Sequence, residues 1–165
     1  FRNRTTRPRA GYDWRGNVKI LAIDPGTHDS GHVVFAGGSV IAAGVMSNEK
    51  TLNLIREYGD KDYSLVIEMI ASYGMAVGKE VFETCVWIGR FKQAWNPPDD
   101  VKLVYRKDVK MHLCGTPKAK DANIRQALID ILGPPGTKKA PGGTFGVTSH
   151  AWAALGVAVT AAAQA

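Results

Sequence analysis

The sequence predicts an α/β fold, a mixed five-stranded sheet flanked by helices. Three observations predict it: apolar runs of strand length, a glycine doublet between two β-rich runs, and helix-period segments that follow the strands.

Val18–Ile23 is short and almost wholly apolar, the pattern of a central buried strand, and Asp24-Pro-Gly-Thr27 breaks it with turn chemistry. Two β-rich runs follow, 31–36 and 39–45, and Gly37-Gly38 between them is a two-residue hairpin signal. A helix is expected over 51–58, stopped by Gly59, then a buried strand over 64–67. A long helix is expected over 77–95, ended by Pro97-Pro98, and a fifth strand over 101–105. Three helices then cover 107–113, 121–132 and 149–163. This order, a three-strand meander and then alternating helix and strand, is the RNase H-like pattern. Between the last two helices, 133–146 carries five Gly, three Pro and Lys138-Lys139, and its composition predicts a mobile loop.

With 165 residues, 45% hydrophobic and 22% charged, the chain suits one domain with one core. Cys85 and Cys114 match neither a zinc spacing nor a disulfide framework, so free thiols and a cytoplasmic setting are expected. No stretch reads as a signal peptide or a membrane span, and the opening on Phe1 rather than Met suits a trimmed start. The net charge of +6 is concentrated at one end. Arg2, Arg4, Arg7, Arg9 and Arg15 face only Asp13, whereas the rest of the chain has a basic surplus of two. Residues 1–17 are therefore expected to form a basic, flexible arm, suited to phosphate contacts or simply solvated, ahead of a domain over 18–165.

Asp24 ends the first strand and Glu68 the fourth run. Acids closing neighbouring buried strands meet at one sheet end, and such oxygens suit Mg²⁺, two of which can clamp a phosphodiester during attack by water. Either acid alone reads more simply as a strand end facing solvent, and it is the pair, in this element order, that points to a site. His150 opens the last helix after Thr148 and Ser149, two candidate N-caps, and could bind a metal, shuttle a proton or merely cap. One turn further on lies Ala153, which offers no ligand.

Four segments in order carry a resemblance. Asp24-Pro-Gly-Thr-His-Asp-Ser-Gly31 resembles the first motif of RuvC-type Holliday-junction resolvases. Val66-Ile-Glu68, with Gly78-Lys-Glu80, Thr84 and Ile88-Gly-Arg90, resembles the second motif and its helix. Tyr105, Val109-Lys110, Gly115, Lys118-Ala-Lys120 and Ile124-Arg125-Gln126 are similar to the stretch before the last two helices. His150-Ala-Trp-Ala153-Ala-Leu155 is similar to the terminal motif. The likeness runs over about 18–163 and is nearest to phage-encoded members. It implies an RNase H-like nuclease that acts as a homodimer with two Mg²⁺ or Mn²⁺ ions and nicks four-way DNA junctions in pairs. By the same likeness Asp24, Glu68 and His150 hold metal, and Lys110, Lys118 and Lys120 lie near the scissile phosphate. Lys138, Lys139 and the arm's arginines are further candidates for DNA contact.

The chain departs from this pattern twice. Ala153 stands where the family carries an acid, so either the chain is an inactivated variant or its site is completed differently. Ala71 stands where some relatives place an aromatic wedge, and Tyr73 is the nearest aromatic, a candidate to stack in the junction or a half-buried loop residue. Asp121 reads as a helix cap with a site role left open. Three rival readings remain: a related nuclease on branched DNA or RNA–DNA hybrids, a non-catalytic junction-binding module, and an actin-like kinase. The last needs a second domain for which the chain is too short. For a dimer, the stripe Val77, Val81, Cys85, Ile88 and Trp95 is a candidate surface and equally a core face.

Overall fold

The computed structural model describes residues 17–165. Arg2, Arg4, Arg7, Arg9 and nearly all of the expected basic arm lie outside them.

Five strands build one sheet: β1 (Lys19–Asp24), β2 (Asp29–Ala36), β3 (Ser39–Ser47), β4 (Ser64–Met69) and β5 (Lys102–Tyr105). Their spatial order is β3-β2-β1-β4-β5, with the first three antiparallel and both β1–β4 and β4–β5 parallel. The expected mixed sheet is therefore present, with β1 near its middle. Gly37 and Gly38 both take positive φ, 58° and 76°, as a two-residue hairpin requires. The helices are α1 (Asn48–Tyr58), α2 (Lys79–Gln93), α3 (Arg106–Cys114), α4 (Asp121–Leu132) and α5 (Ala151–Gln164).

The period of two along the strands divides the core. Ile20, Ala22, Val33, Phe35 and Val66 face α3, α4 and α5, whereas Leu21, Ile23, Val34, Leu65 and Ile67 face α1 and α2. The first layer is built on α5, which is buried over most of its length by small and branched residues. Its glycine lets α3 come close: a side chain at Gly156 would press on Val109 and Ile124. The second layer takes Ile88, Phe91 and Trp95 from α2 and its C-terminal flank.

Two expectations change, and the stripe left open is divided. Of Val77, Val81, Cys85, Ile88 and Trp95, Ile88 and Trp95 are buried in the core and the other three are half-buried. On α2 it is Phe82 and Val86 that stand exposed, at 63% and 65%. α2 stops at Gln93, short of Pro97-Pro98, and is shorter at both ends than its apolar pattern. Residues 133–146 are tied down rather than loose. Gly136 bridges Pro141, Gly142 N–H donates to Pro135, and buried Thr144 donates its hydroxyl to the Gly133 carbonyl. Gly142 and Gly143 lie so close to the Pro134 and Leu132 carbonyls that no side chain fits. Cys85 and Cys114 are half-buried and are not joined to each other.

Candidate active site

In the parallel ladder Ile23 pairs with Ile67, so the next residues, Asp24 and Glu68, leave the sheet side by side. Alternation sends both to the face of Ala22 and Val66, beneath α5. Their side chains are only 14% and 12% exposed, which rules out two strand-end acids pointing into solvent.

The turn after Asp24 is fastened from behind. Gly26 N–H donates to Ser30 Oγ, Ser30 donates to Asn48 Oδ1 at 2.6 Å, and the Asn48 amide donates to the Gly26 carbonyl. Ser30 and Asn48 are buried, so this polar network is satisfied inside the fold. Gly31, paired with Asp24 across β1–β2, is the point on which the backbone of His150 rests. A Cβ there would overlap the His150 carbonyl. This close approach gives a physical reason for the second glycine of the first motif. It also sets the imidazole over the strand ends, with His150 Nδ1 3.2 Å from Asp24 Oδ2.

Neither Thr148 nor Ser149 caps α5 with its side chain. His150 is itself the N-cap, and backbone bonds from Ala151 to Thr148 and from Trp152 to Ser149 close the turn. Ala153 lies one turn on and presents a methyl group to the same cleft.

The cleft has a volume of about 410 Å³ and is lined by Asp24, Glu68, Arg106, Asp121, Arg125 and His150, among others. Arg106, Asp121 and Arg125 in this set were not foreseen as its core. Arg106 opens α3 directly after β5, the strand parallel to β4, so it stands at the next strand end in the row that holds Asp24 and Glu68. The logic that selected the two acids would have found it. Its guanidinium reaches Glu68 Oε1 at 3.5 Å with one nitrogen and bonds Asp121 with the other. Asp121 is the first residue of α4 and does not cap it; the Lys120 N–H donates instead to the Asn123 side chain. Arg125, one turn along α4, lies over the Trp152 ring at 5.2 Å.

Electrostatics follow from this crowding. Burial and the adjacent Asp24 push Glu68 up to about 7, against the pull of Arg106. Burial raises Asp24 as well, while His150 and Arg106 restrain it. Burial works against the charge on Arg106, but Glu68 and Asp121 more than offset it and hold the guanidinium above its usual range.

The remaining candidates lie elsewhere. Lys110, Lys118 and Lys120 do not line the cleft, whose basic residues are the two arginines. Tyr73 is 61% exposed with φ of 49°, so it is not half-buried, and it too stands outside the cleft. Lys138 and Lys139 sit exposed at the tip of a turn closed by Thr137 and Ala140.

Solved structures match most of the chain, and two of them are forms of one protein. One is Thermus thermophilus RuvC in complex with Holliday junction substrate, with a TM-score of 0.65 over 87% of this chain and 92% of that one, at 20% identity. The other is Thermus thermophilus RuvC alone, with a TM-score of 0.62 over 88% and 94%, also at 20% identity. The fold is that of RuvC. No protein-family model matches the sequence, and no curated protein matches it either. An identity of 20% carries the RuvC fold, so the chemistry rests on the residues themselves.

The donor set fits a hard divalent cation: two carboxylates at adjoining strand ends and an imidazole beside them. Among the described residues no three Asp, Glu, His or Cys side chains are gathered into a ready-made metal centre. Magnesium does not require one, since one or two carboxylates with water and substrate phosphate usually suffice.

Proposed function

We propose that this protein is a metal-dependent DNA endonuclease that resolves four-way junctions by paired nicks. In this reading it is a homodimer working in the cytoplasm of a bacterial or phage-infected cell. The observation that carries the proposal is the convergence of Asp24 and Glu68 under His150 at one end of a RuvC-fold sheet. The related structure bound to a Holliday junction supports the choice of substrate.

Asp24 and Glu68 would hold Mg²⁺ or Mn²⁺, two ions per site in the full reading, with His150 completing the set. When bound, such ions stabilise charge at the scissile phosphate and activate water. Arg106 and Arg125 supply positive charge in the cleft for the phosphodiester backbone. The His150 ring stands 68% exposed with one nitrogen beside Asp24, placed to hold or pass a proton at the open side. Lys138 and Lys139 at their turn tip, Lys110, Lys118, Lys120, Tyr73 and the arginine arm are candidate contacts to the arms of the junction.

Ala153 favours a second reading, a protein that binds junctions without cutting them, because its methyl group adds no ligand to the cleft. One experiment separates the two: cleavage of a synthetic four-way junction with Mg²⁺ or Mn²⁺, beside linear duplex, for this chain and for Ala153→Asp. Paired nicks by this chain support the nuclease with its site as it stands. Cutting by Ala153→Asp alone makes this chain an inactivated form. Junction binding with no cutting by either protein leaves the binding module. Absence of any preference for the junction overturns the choice of substrate.

A further inference from the structure

Arg106 stands between two of the acids that line the cleft. Asp24, Glu68 and Asp121 come from three elements, β1, β4 and α4, and line one cleft. A single guanidinium spans two of them, with Nη1 3.5 Å from Glu68 and Nη2 bonded to Asp121. The planar fork is what allows one side chain to serve two carboxylates, which a lone ammonium does poorly. A divalent cation would claim the same Glu68 oxygens. The contact to Glu68, at 3.5 Å, lies at the outer limit of a hydrogen bond, so Glu68 can be surrendered at little cost in bonding.

We propose that Arg106 is the resident counter-cation of this site: it holds Glu68 and Asp121 in the ion-free protein and yields Glu68 to an entering divalent cation. Still anchored to Asp121 at the cleft wall, the guanidinium then faces the phosphodiester that the ion attracts. Cation affinity is therefore set in competition with Arg106. This account also explains why carboxylates converge here without a ready-made metal centre. It rests on the metal-dependent reading above.

The test is Mn²⁺ binding to the full chain, followed by the paramagnetic signal of free Mn²⁺, with folding of each variant verified by circular dichroism. Arg106→Gln removes the competitor and is expected to bind Mn²⁺ about tenfold more tightly, the equivalent of about 1.4 kcal/mol. Its melting temperature should also rise more on saturation with Mn²⁺ than that of the unaltered chain. Arg106→Lys, which keeps the charge but loses the fork, should show a smaller gain, and it carries the test if the glutamine variant does not fold. Equal or weaker Mn²⁺ binding by the variants, with the unaltered chain binding normally, overturns the role of Arg106 alone. No Mn²⁺ binding by any of the three proteins overturns the metal-dependent function, and the role of Arg106 falls with it.

Discussion

Glu68 carries a conflict that its position creates. It is 12% exposed, next to Asp24, and pushed up to about 7 from an ordinary value near 4.5. Because the folded state holds the proton more tightly than the unfolded chain, its stabilising contribution is complete below about 4.5. That contribution is lost as pH rises through about 7. Glu68→Gln should therefore stabilise the ion-free protein at pH 8 and change it little at pH 4.5, read as melting temperature in the presence of a chelator. A gain at pH 4.5 as large as at pH 8 would show that charge is not the cause. Divalent cations should narrow the difference by satisfying the ionised carboxylate, whereas the same substitution should abolish cutting. His32 carries the opposite conflict on the other face of the sheet. It is 8% exposed, burial lowers its basicity, and its Nδ1 has no hydrogen-bond partner. The unfolded chain takes up a proton there near 6.5 while the folded state resists. Stability is thus full above that value and declines as pH falls below it. His32→Phe should flatten the acid limb of the melting profile between about pH 6.5 and 5, the range over which an ordinary histidine gains its charge.

At the scale of elements, the strands and the two acids were legible because their signals are local. An apolar run followed by Asp-Pro-Gly tells where a strand stops, and the glycine doublet tells where the chain turns back. Arg106 follows its strand just as Asp24 and Glu68 do, and it was missed because a basic residue at a strand end does not announce a cation site as a carboxylate does; its place beside Glu68 comes from the parallel β4–β5 pairing. Residues 133–146 misled for a related reason: the composition that frees a loop also permits its backbone to pack tightly on itself, as Gly142 and Gly143 do here. Asp121 was ambiguous for lack of knowing what faces it. Gly31 ties two elements into one site, since β2 can approach the start of α5 only where no side chain intervenes. Gly31→Ala should push the His150 carbonyl away and cost about 1–3 kcal/mol of stability, as overpacking does. Cutting should fall further than the melting temperature alone accounts for, because His150 loses its place over Asp24. If the variant melts lower but cuts normally at a temperature where it is fully folded, the position of His150 is not limiting.

For the whole molecule, paired nicking requires two sites addressing one junction. The α2 surface offers what a second copy could cover: Phe82 and Val86 one turn apart and strongly exposed, followed by Gly89 with open space before it. The sequence pattern left the Val77–Trp95 stripe open between core and interface, because both share one period and only the packed fold tells them apart. Phe82→Glu with Val86→Glu should leave the fold intact, since neither side chain is in the core, and should convert a dimer to a monomer in sedimentation equilibrium. Junction cutting should then lose its pairing, with single nicks replacing coordinated ones. A monomeric unaltered chain would remove the dimer, and a variant that remains dimeric would place the interface elsewhere.

The arginines at 2, 4, 7 and 9 belong to this same scale, because they make up most of the molecule's net charge of +6. If four of them neutralise junction phosphates, deleting residues 1–9 should lower the slope of log affinity against log salt by about 3–4, close to one unit for each phosphate left unneutralised. The change should be read on duplex and four-way DNA together. An arm that merely adds charge against the phosphates should weaken binding to both, since that attraction is common to every form of DNA. A loss confined to the junction would instead make the arm part of substrate choice, and an unchanged slope would leave it outside the complex.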